Sequence, residues 1–165
     1  VSPDPAFDGE ALARGDIALD IPALAKAISW VEDGGKLPDQ LVAEGALKSR
    51  SIGITGSPGV GKSTITSALV KAIRKSGELV AVLAVDPSSP ITGGALLGDR
   101  IRMQEHYLDA GVYIRSMGSR GHLGGLAAAT PQAIALVAHA GFTEIIVETV
   151  GVGQSEVEIM KYVDT

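Results

Sequence analysis

A chain of 165 residues, 45% of them hydrophobic, is long enough to close one domain around its own core. A net charge of −5 argues against a phosphate-backbone partner, which calls for a basic face, so no nucleic acid is expected. The absence of cysteine excludes disulfides and thiolate metal sites, and His106, His122 and His139 show no metal-ligand spacing.

No apolar run approaches the roughly 18 residues of a membrane span. The acidic, Pro-rich start has neither the basic nor the apolar part of a signal peptide. The expectation is an intracellular chain with no membrane partner.

In chain order, Val1–Gly9 reads as a loose tail. Ile21, Leu24, Ile28 and Val31 recur at helical spacing, with Asp20 as cap, Pro22 in the first turn and Gly34-Gly35 as the stop. A second helix is predicted over Pro38–Lys48. These two helices, within residues 1–49, form a short helical preface to the main unit, residues 50–165.

The main pattern opens with a strand over Ser51–Thr55. Ser63–Lys75 is predicted as a helix with Ile65, Leu69, Ala72 and Ile73 on one face, a basic last turn and Gly77 beyond it. Leu79–Val85 is an apolar run suited to a strand buried on both sides. Residues 88–98 read as a mobile Ser/Gly-rich loop, Asp99–Leu108 as a helix, Val112–Ser116 as a strand and Gly118–Gly125 as a second Gly-rich loop. Thr130-Pro131 is read as the cap and first position of a helix that ends at Gly141. Glu144–Val150 is a further buried strand, and Ser155 with Glu158 suggests a capping box for a last helix. Strands alternating with helices predict an α/β P-loop NTPase fold, mostly parallel with helices on both faces. Such a sheet normally continues with another strand, so the carboxyl end of the core is expected to be incomplete.

Gly56-Ser57-Pro58-Gly59-Val60-Gly61-Lys62-Ser63 matches G-x-x-x-x-G-K-[ST] between a strand and a helix. The chemistry explains the pattern. Glycines let consecutive N–H groups curl around phosphate oxygens, and the helix amino end adds partial positive charge. Lys62 reaches the β- and γ-phosphates, the Ser63 hydroxyl ligates Mg²⁺, and Thr64 donates to the α-phosphate.

Holding Mg²⁺ also calls for a carboxylate. Asp86 and Glu148 end predicted strands, where ligands of open α/β sheets bind, and Asp99 follows the loop. A cap or solvated loop carboxylate is the competing reading for each. Glu148-Thr149-Val150-Gly151 has the layout of a D-x-x-G switch with Glu for Asp, which offers the Gly151 N–H to the γ-phosphate. Gln154 is displaced from the usual water-orienting place. His122 is a candidate base, though loop-shaping is the commoner role for such a histidine. Arg100, Arg102, Arg115 and Arg120 are phosphate candidates against a default of solvated surface arginine.

Five segments together resemble the ArgK/MeaB family of GTPases, the family of methylmalonic aciduria type A protein-like chaperones. They are Gly53–Thr64, Leu83–Ser89, Leu97–Met103, Gly121–Gly125 and Val147–Glu156, and the resemblance covers roughly residues 20–165. The combination of V-D-P-S-S with E-T-V-G-V-G-Q-S-E is its most specific part. The resemblance implies GTP and GDP as ligands, Mg²⁺, and a G-protein chaperone role toward an adenosylcobalamin-dependent mutase of the methylmalonyl-CoA mutase type. It also implies a bacterial cytoplasmic setting and a homodimer in the full-length protein. Asp86, Asp99 and Glu148 become the Mg²⁺ and switch group, with Lys62 on phosphate. The family's guanine-reading N-K-x-D and its dimerisation arm match nothing in these residues, so guanine specificity comes from the resemblance alone.

The older family description, a lysine/arginine/ornithine transport kinase, supplies the alternative of an ATPase-type phosphotransferase. A nickel-insertion GTPase would want a Cys or His cluster, which the sequence lacks. A nucleotide-binding module without useful turnover is the fourth reading. Comparing GTP with ATP turnover, with and without a mutase, separates them.

Overall fold

The computed structural model describes Ala11, residues 19–90, His106, residues 108–119, 125–149 and 154–165. Helix α1, Ile21–Glu32, begins where the sequence says it should: the Asp20 carboxylate accepts the Ala23 N–H at 2.9 Å, and Pro22 sits in the first turn. Leu24, Ala27, Ile28 and Val31 are its buried stripe. Helix α2, Asp39–Lys48, crosses a later helix so closely at Gly45 that a Cβ there would lie 2.6 Å from Ala135 Cα.

Among the described residues four parallel strands follow: β1 (Arg50–Ile54), β2 (Val80–Pro90), β3 (Val112–Ser119) and β4 (Glu144–Thr149). Their spatial order is β1-β4-β2-β3. The α/β class and the parallel sheet are those expected from the alternating pattern. Helix α3 (Lys62–Lys75) joins β1 to β2, α4 (Gly125–His139) lies between β3 and β4, and α5 (Gln154–Met160) follows β4.

Strand β2 is buried on both sides, as its apolar run requires. Val80 and Val82 join Val70 of α3 and Ile146 of β4 in one small cluster. Ala81, Leu83 and Val85 join Ile145 and Val147, with α1, α4 and Ile159 of α5, in a far larger one. Even-numbered residues of β2 and β4 therefore face α3, and odd-numbered ones face the other helices. This parity puts Asp86 and Glu148 on the α3 side, since Ala84 is the register partner of Glu148.

The outer edge of β1 is also engaged. Thr165 N donates to Ser51 O at 3.3 Å and Gly53 N donates to Thr165 O at 2.7 Å, the pattern of a parallel pair. The Asp164 carboxylate accepts from both N and Oγ of Ser51.

Several boundaries differ from the sequence reading. Strand β2 runs on to Pro90 through an irregularity after Asp86, and β3 reaches Ser119, which pairs with Pro90. Helix α4 begins at Gly125, so Thr130 and Pro131 are inside it rather than at its start. Thr130 Oγ1 donates to Leu126 O at 2.7 Å. The Ala-rich first turns propagate the helix, and near-complete burial of its middle outweighs a proline cost of about 3 kcal/mol. Helix α5 begins at Gln154, one residue before the expected cap. The loop over 91–98, most of the Asp99–Leu108 helix, residues 120–124 of the second Gly-rich loop, and Val150 lie outside the described residues.

The buried stripe of α3 also differs. Ile65 is 59% exposed and Ala72 is exposed, while Lys62, Thr66, Ser67 and Val70 are buried. Leu69 and Ile73 do pack, partly buried, against the cluster of Val70, Val80, Val82 and Ile146. Hydrophobic periodicity missed Thr66 and Ser67, polar residues that are buried because they find hydrogen-bond partners.

Candidate nucleotide site

The loop between β1 and α3 gets its shape from glycine. Gly59 and Gly61 take φ of 81° and 95°, and no heavy atom would crowd a Cβ at either. Backbone conformation, not space, requires glycine there. Gly61 is the amino cap of α3, so the helix opens with its free N–H groups directed at the loop.

Lys62 is 7% exposed and folded over this loop. Its ammonium donates to Gly56 O at 2.5 Å and Ser57 O at 3.0 Å. Pro58, Gly59, Gly61, Lys62, Ser63, Thr64 and Glu148 line a cleft of about 330 Å³. Val60, in the same loop, is 63% exposed and is not part of the lining.

Glu148 reaches this cleft from the end of β4, the strand beside β1, where it is in register with Ile54. One carboxylate oxygen accepts from Ser63 Oγ at 2.9 Å and the other from Thr66 Oγ1 at 2.8 Å. Both oxygens of this carboxylate, only 5% exposed, are hydrogen-bonded. Ser63 and Glu148 thus bring two hard oxygen donors within 2.9 Å of each other at the mouth of the phosphate loop. Among the described residues no three His, Cys, Asp or Glu side chains form a cage. Mg²⁺ does not require one, because it keeps waters and shares phosphate oxygens. The donor set fits that ion.

Asp86 sits two residues beyond the register partner of Glu148, on the same face and at the same end of the sheet. Ser57, Pro58, Gly59, Val60, Gly61, Lys62, Ser63 and Thr64 all belong to the loop and the first turn of α3. Asp99 and Gly151 lie outside the described residues, as do Arg100, Arg102, Arg120 and His122.

Arg115 faces away from the phosphate side. Its guanidinium donates to Ser29 Oγ at 2.8 Å and to Glu32 at 3.0 Å, tying β3 to α1. The odd-numbered parity of β3 predicts that direction, so this arginine drops out of the phosphate candidates. Sequence reasoning missed Thr66. A threonine on the inner stripe of the loop helix, where a leucine or valine packs more simply, was the available signal.

A larger groove of about 620 Å³ lies elsewhere, between the α1–α2 connection and α4. Its walls are mainly apolar and small residues, with no phosphate-binding loop, so the smaller cleft is the chemically equipped one.

Fold and loop together define a P-loop nucleotide-binding domain with the loop strand next to the strand that bears the acidic residue. Residues 24–165 match the family model described as methylmalonyl Co-A mutase-associated GTPase MeaB, and the chain belongs to that family. A Pyrococcus horikoshii protein, named a GTPase by inference, is 50% identical over 164 residues, covering 94% of this chain and 49% of its own length. The GTPase ArgK of Escherichia coli is 48% identical over 113 residues, 68% of this chain and 34% of the relative. The mitochondrial methylmalonic aciduria type A homolog of Mus musculus is 46% identical over 113 residues, 68% of this chain and 27% of the relative. The crystal structure of an LAO/AO transport system kinase superposes with a TM-score of 0.51 at 28% identity, covering 88% of this chain and 49% of that one. The chain spans about half the length of the curated relatives it matches along nearly all its residues.

Proposed function

We propose that this chain is the phosphate-binding part of a Mg²⁺-dependent GTPase that acts as a chaperone for an adenosylcobalamin-dependent mutase. The observation that carries the reading is the Ser63–Glu148 contact at 2.9 Å inside a cleft walled by the phosphate loop. Family membership and relatives named as GTPases support guanine nucleotide as the substrate. The family description supports a methylmalonyl-CoA mutase type of partner. A homodimer of the full-length protein in the bacterial cytoplasm completes the reading.

The loop N–H groups and the amino end of α3 hold the phosphates by hydrogen bonding and partial charge. Lys62 moves its ammonium from loop carbonyls to the β- and γ-phosphate oxygens. Ser63, Glu148 and Asp86 would hold Mg²⁺, together with Asp99. The ion, when bound, neutralises charge that develops on the transferred phosphoryl oxygens. Gly151 reports the γ-phosphate through its N–H. With no glutamine directly after Gly151, intrinsic hydrolysis is slow, on the order of 10⁻⁴ to 10⁻² s⁻¹, and rises with a partner.

The likeness to an LAO/AO transport system kinase favours one other reading, an ATPase-type phosphotransferase. Turnover of GTP and ATP by the full-length protein, alone and with its mutase, decides between them. Mutase-stimulated GTP turnover is the expected result. Preference for ATP with no response to the mutase overturns the chaperone reading.

A further inference from the structure

Thr66 stands out on the inner face of α3. It has no exposed surface, and its hydroxyl lies 2.8 Å from Glu148 Oε2. Ser63, three residues earlier on the same helix face, takes the other oxygen of the same carboxylate. The two hydroxyls differ in setting. Ser63 lines the cleft, whereas Thr66 is fully buried and absent from its walls.

Nothing in helix formation favours threonine here, since β-branching lowers helix propensity. A hydroxyl in a helix commonly bonds back to the carbonyl four residues earlier. This one reaches across to a residue 82 positions away in sequence. A buried hydroxyl without a partner is costly, so the carboxylate and the hydroxyl constrain each other.

We propose that Thr66 is a positioning residue for Glu148: its hydroxyl pins Oε2, so that Oε1 stays aimed at Ser63 and at the cation that Ser63 shares. The inference rests on the reading of Ser63 and Glu148 as the Mg²⁺ corner. Hydrogen bonds that orient a liganding carboxylate are worth about 10–100-fold in metal affinity or activity.

The test uses the full-length protein and a non-hydrolysable GTP analogue, titrated by calorimetry in excess EDTA and across a Mg²⁺ series. Thr66→Val keeps shape and volume and removes the hydroxyl, Thr66→Ser keeps the hydroxyl, and Glu148→Gln removes the charge. The expected result has three parts. Thr66→Val raises the Mg²⁺ concentration for half-maximal tightening about tenfold. It leaves affinity in EDTA within about twofold, as expected when only the metal corner is touched. Thr66→Ser returns the Mg²⁺ response to near wild type. If Thr66→Val matches wild type while Glu148→Gln is shifted, Thr66 only fills space and the inference falls alone. If affinity in EDTA drops as far as affinity in Mg²⁺, Thr66 shapes the loop and the inference also falls. If Glu148→Gln leaves the Mg²⁺ response unchanged, the underlying reading of the metal corner fails and takes the inference with it. Melting curves of each variant confirm that the comparisons are made between folded proteins.

Discussion

Lys62 holds two loop carbonyls, at 2.5 and 3.0 Å, with a side chain that is largely buried. The same charge-assisted hydrogen bonds, made instead to phosphate, are worth about 1.5–3 kcal/mol, or roughly 10–100-fold in affinity. Lys62→Ala is therefore expected to weaken triphosphate binding by about that factor, measured by calorimetry. An unchanged dissociation constant rules out the phosphate role. The loop was legible in the sequence because its requirements are local: glycines at positive φ, then Lys and Ser at the start of a helix. Glu148 was legible as the end of an apolar strand. Thr66 was not, because what makes it informative is a carboxylate 82 residues away, brought in by strand order. Arg115 shows the same limit from the other side, since only the parity of β3 reveals that it serves Glu32.

At the scale of elements, α3 is fastened to the turn before β3 by two polar contacts. Ser67 Oγ and His106 Nε2 are 2.9 Å apart, and Arg74 meets both carboxylate oxygens of Asp109. The hydrogen bond from Arg74, followed by that from the Gly111 N–H, holds the Asp109 carboxyl below its ordinary value of 3.8. A lowered folded value means that this stabilisation is complete above the unfolded value and is lost as pH falls through the folded one. Asp109→Asn should therefore lower Tm at about pH 7, and the gap to wild type should narrow at a pH below the ordinary value of 3.8. A gap of equal size at both pH values excludes the ion pair as its source. Helix α2 meets α4 across Gly45, where any side chain collides with Ala135. Gly45→Val is expected to destabilise the fold by about 1–3 kcal/mol in urea unfolding, since overpacking forces the helices apart. No loss of stability contradicts so close a crossing. Helix positions were legible from periodicity and caps, with two failures. Pro131 read as a start because proline favours first turns. The inner face of α3 was read only in part, through Leu69 and Ile73, because periodicity does not register polar groups such as Thr66 that find partners across a sheet.

For the molecule as a whole, the sheet order β1-β4-β2-β3 gathers the phosphate loop, Glu148 and Asp86 at one end of the strands. A ligand at that end binds only the folded chain, so it stabilises by mass action. A triphosphate analogue with Mg²⁺ at 100 times its dissociation constant is expected to add about 2.7 kcal/mol to the unfolding free energy, seen as a raised Tm. A Tm that does not move with ligand concentration argues against a site formed only by the fold. Sequence pattern predicted a parallel sheet with helices on both faces, but not the order of its strands, because pairing depends on crossovers that leave no local mark.

Among the described residues, the two faces of that sheet are unequally filled. On one side lies a small cluster of buried Val70, Val80, Val82 and Ile146, with Ile54, Leu69, Ile73, Val112 and Ile114 partly buried against it, and hydrogen bonds help it keep α3 in place. On the other, α1, α4 and α5 share a continuous oily interior. Lifting α3 therefore uncovers less apolar surface, among the described residues, than lifting α4. Amide protons of α3 should exchange with solvent sooner than those of α4. A bound nucleotide, gripping the amino end of α3 and the tip of β4 together, acts as a clasp across that weak seam, and slows exchange there most.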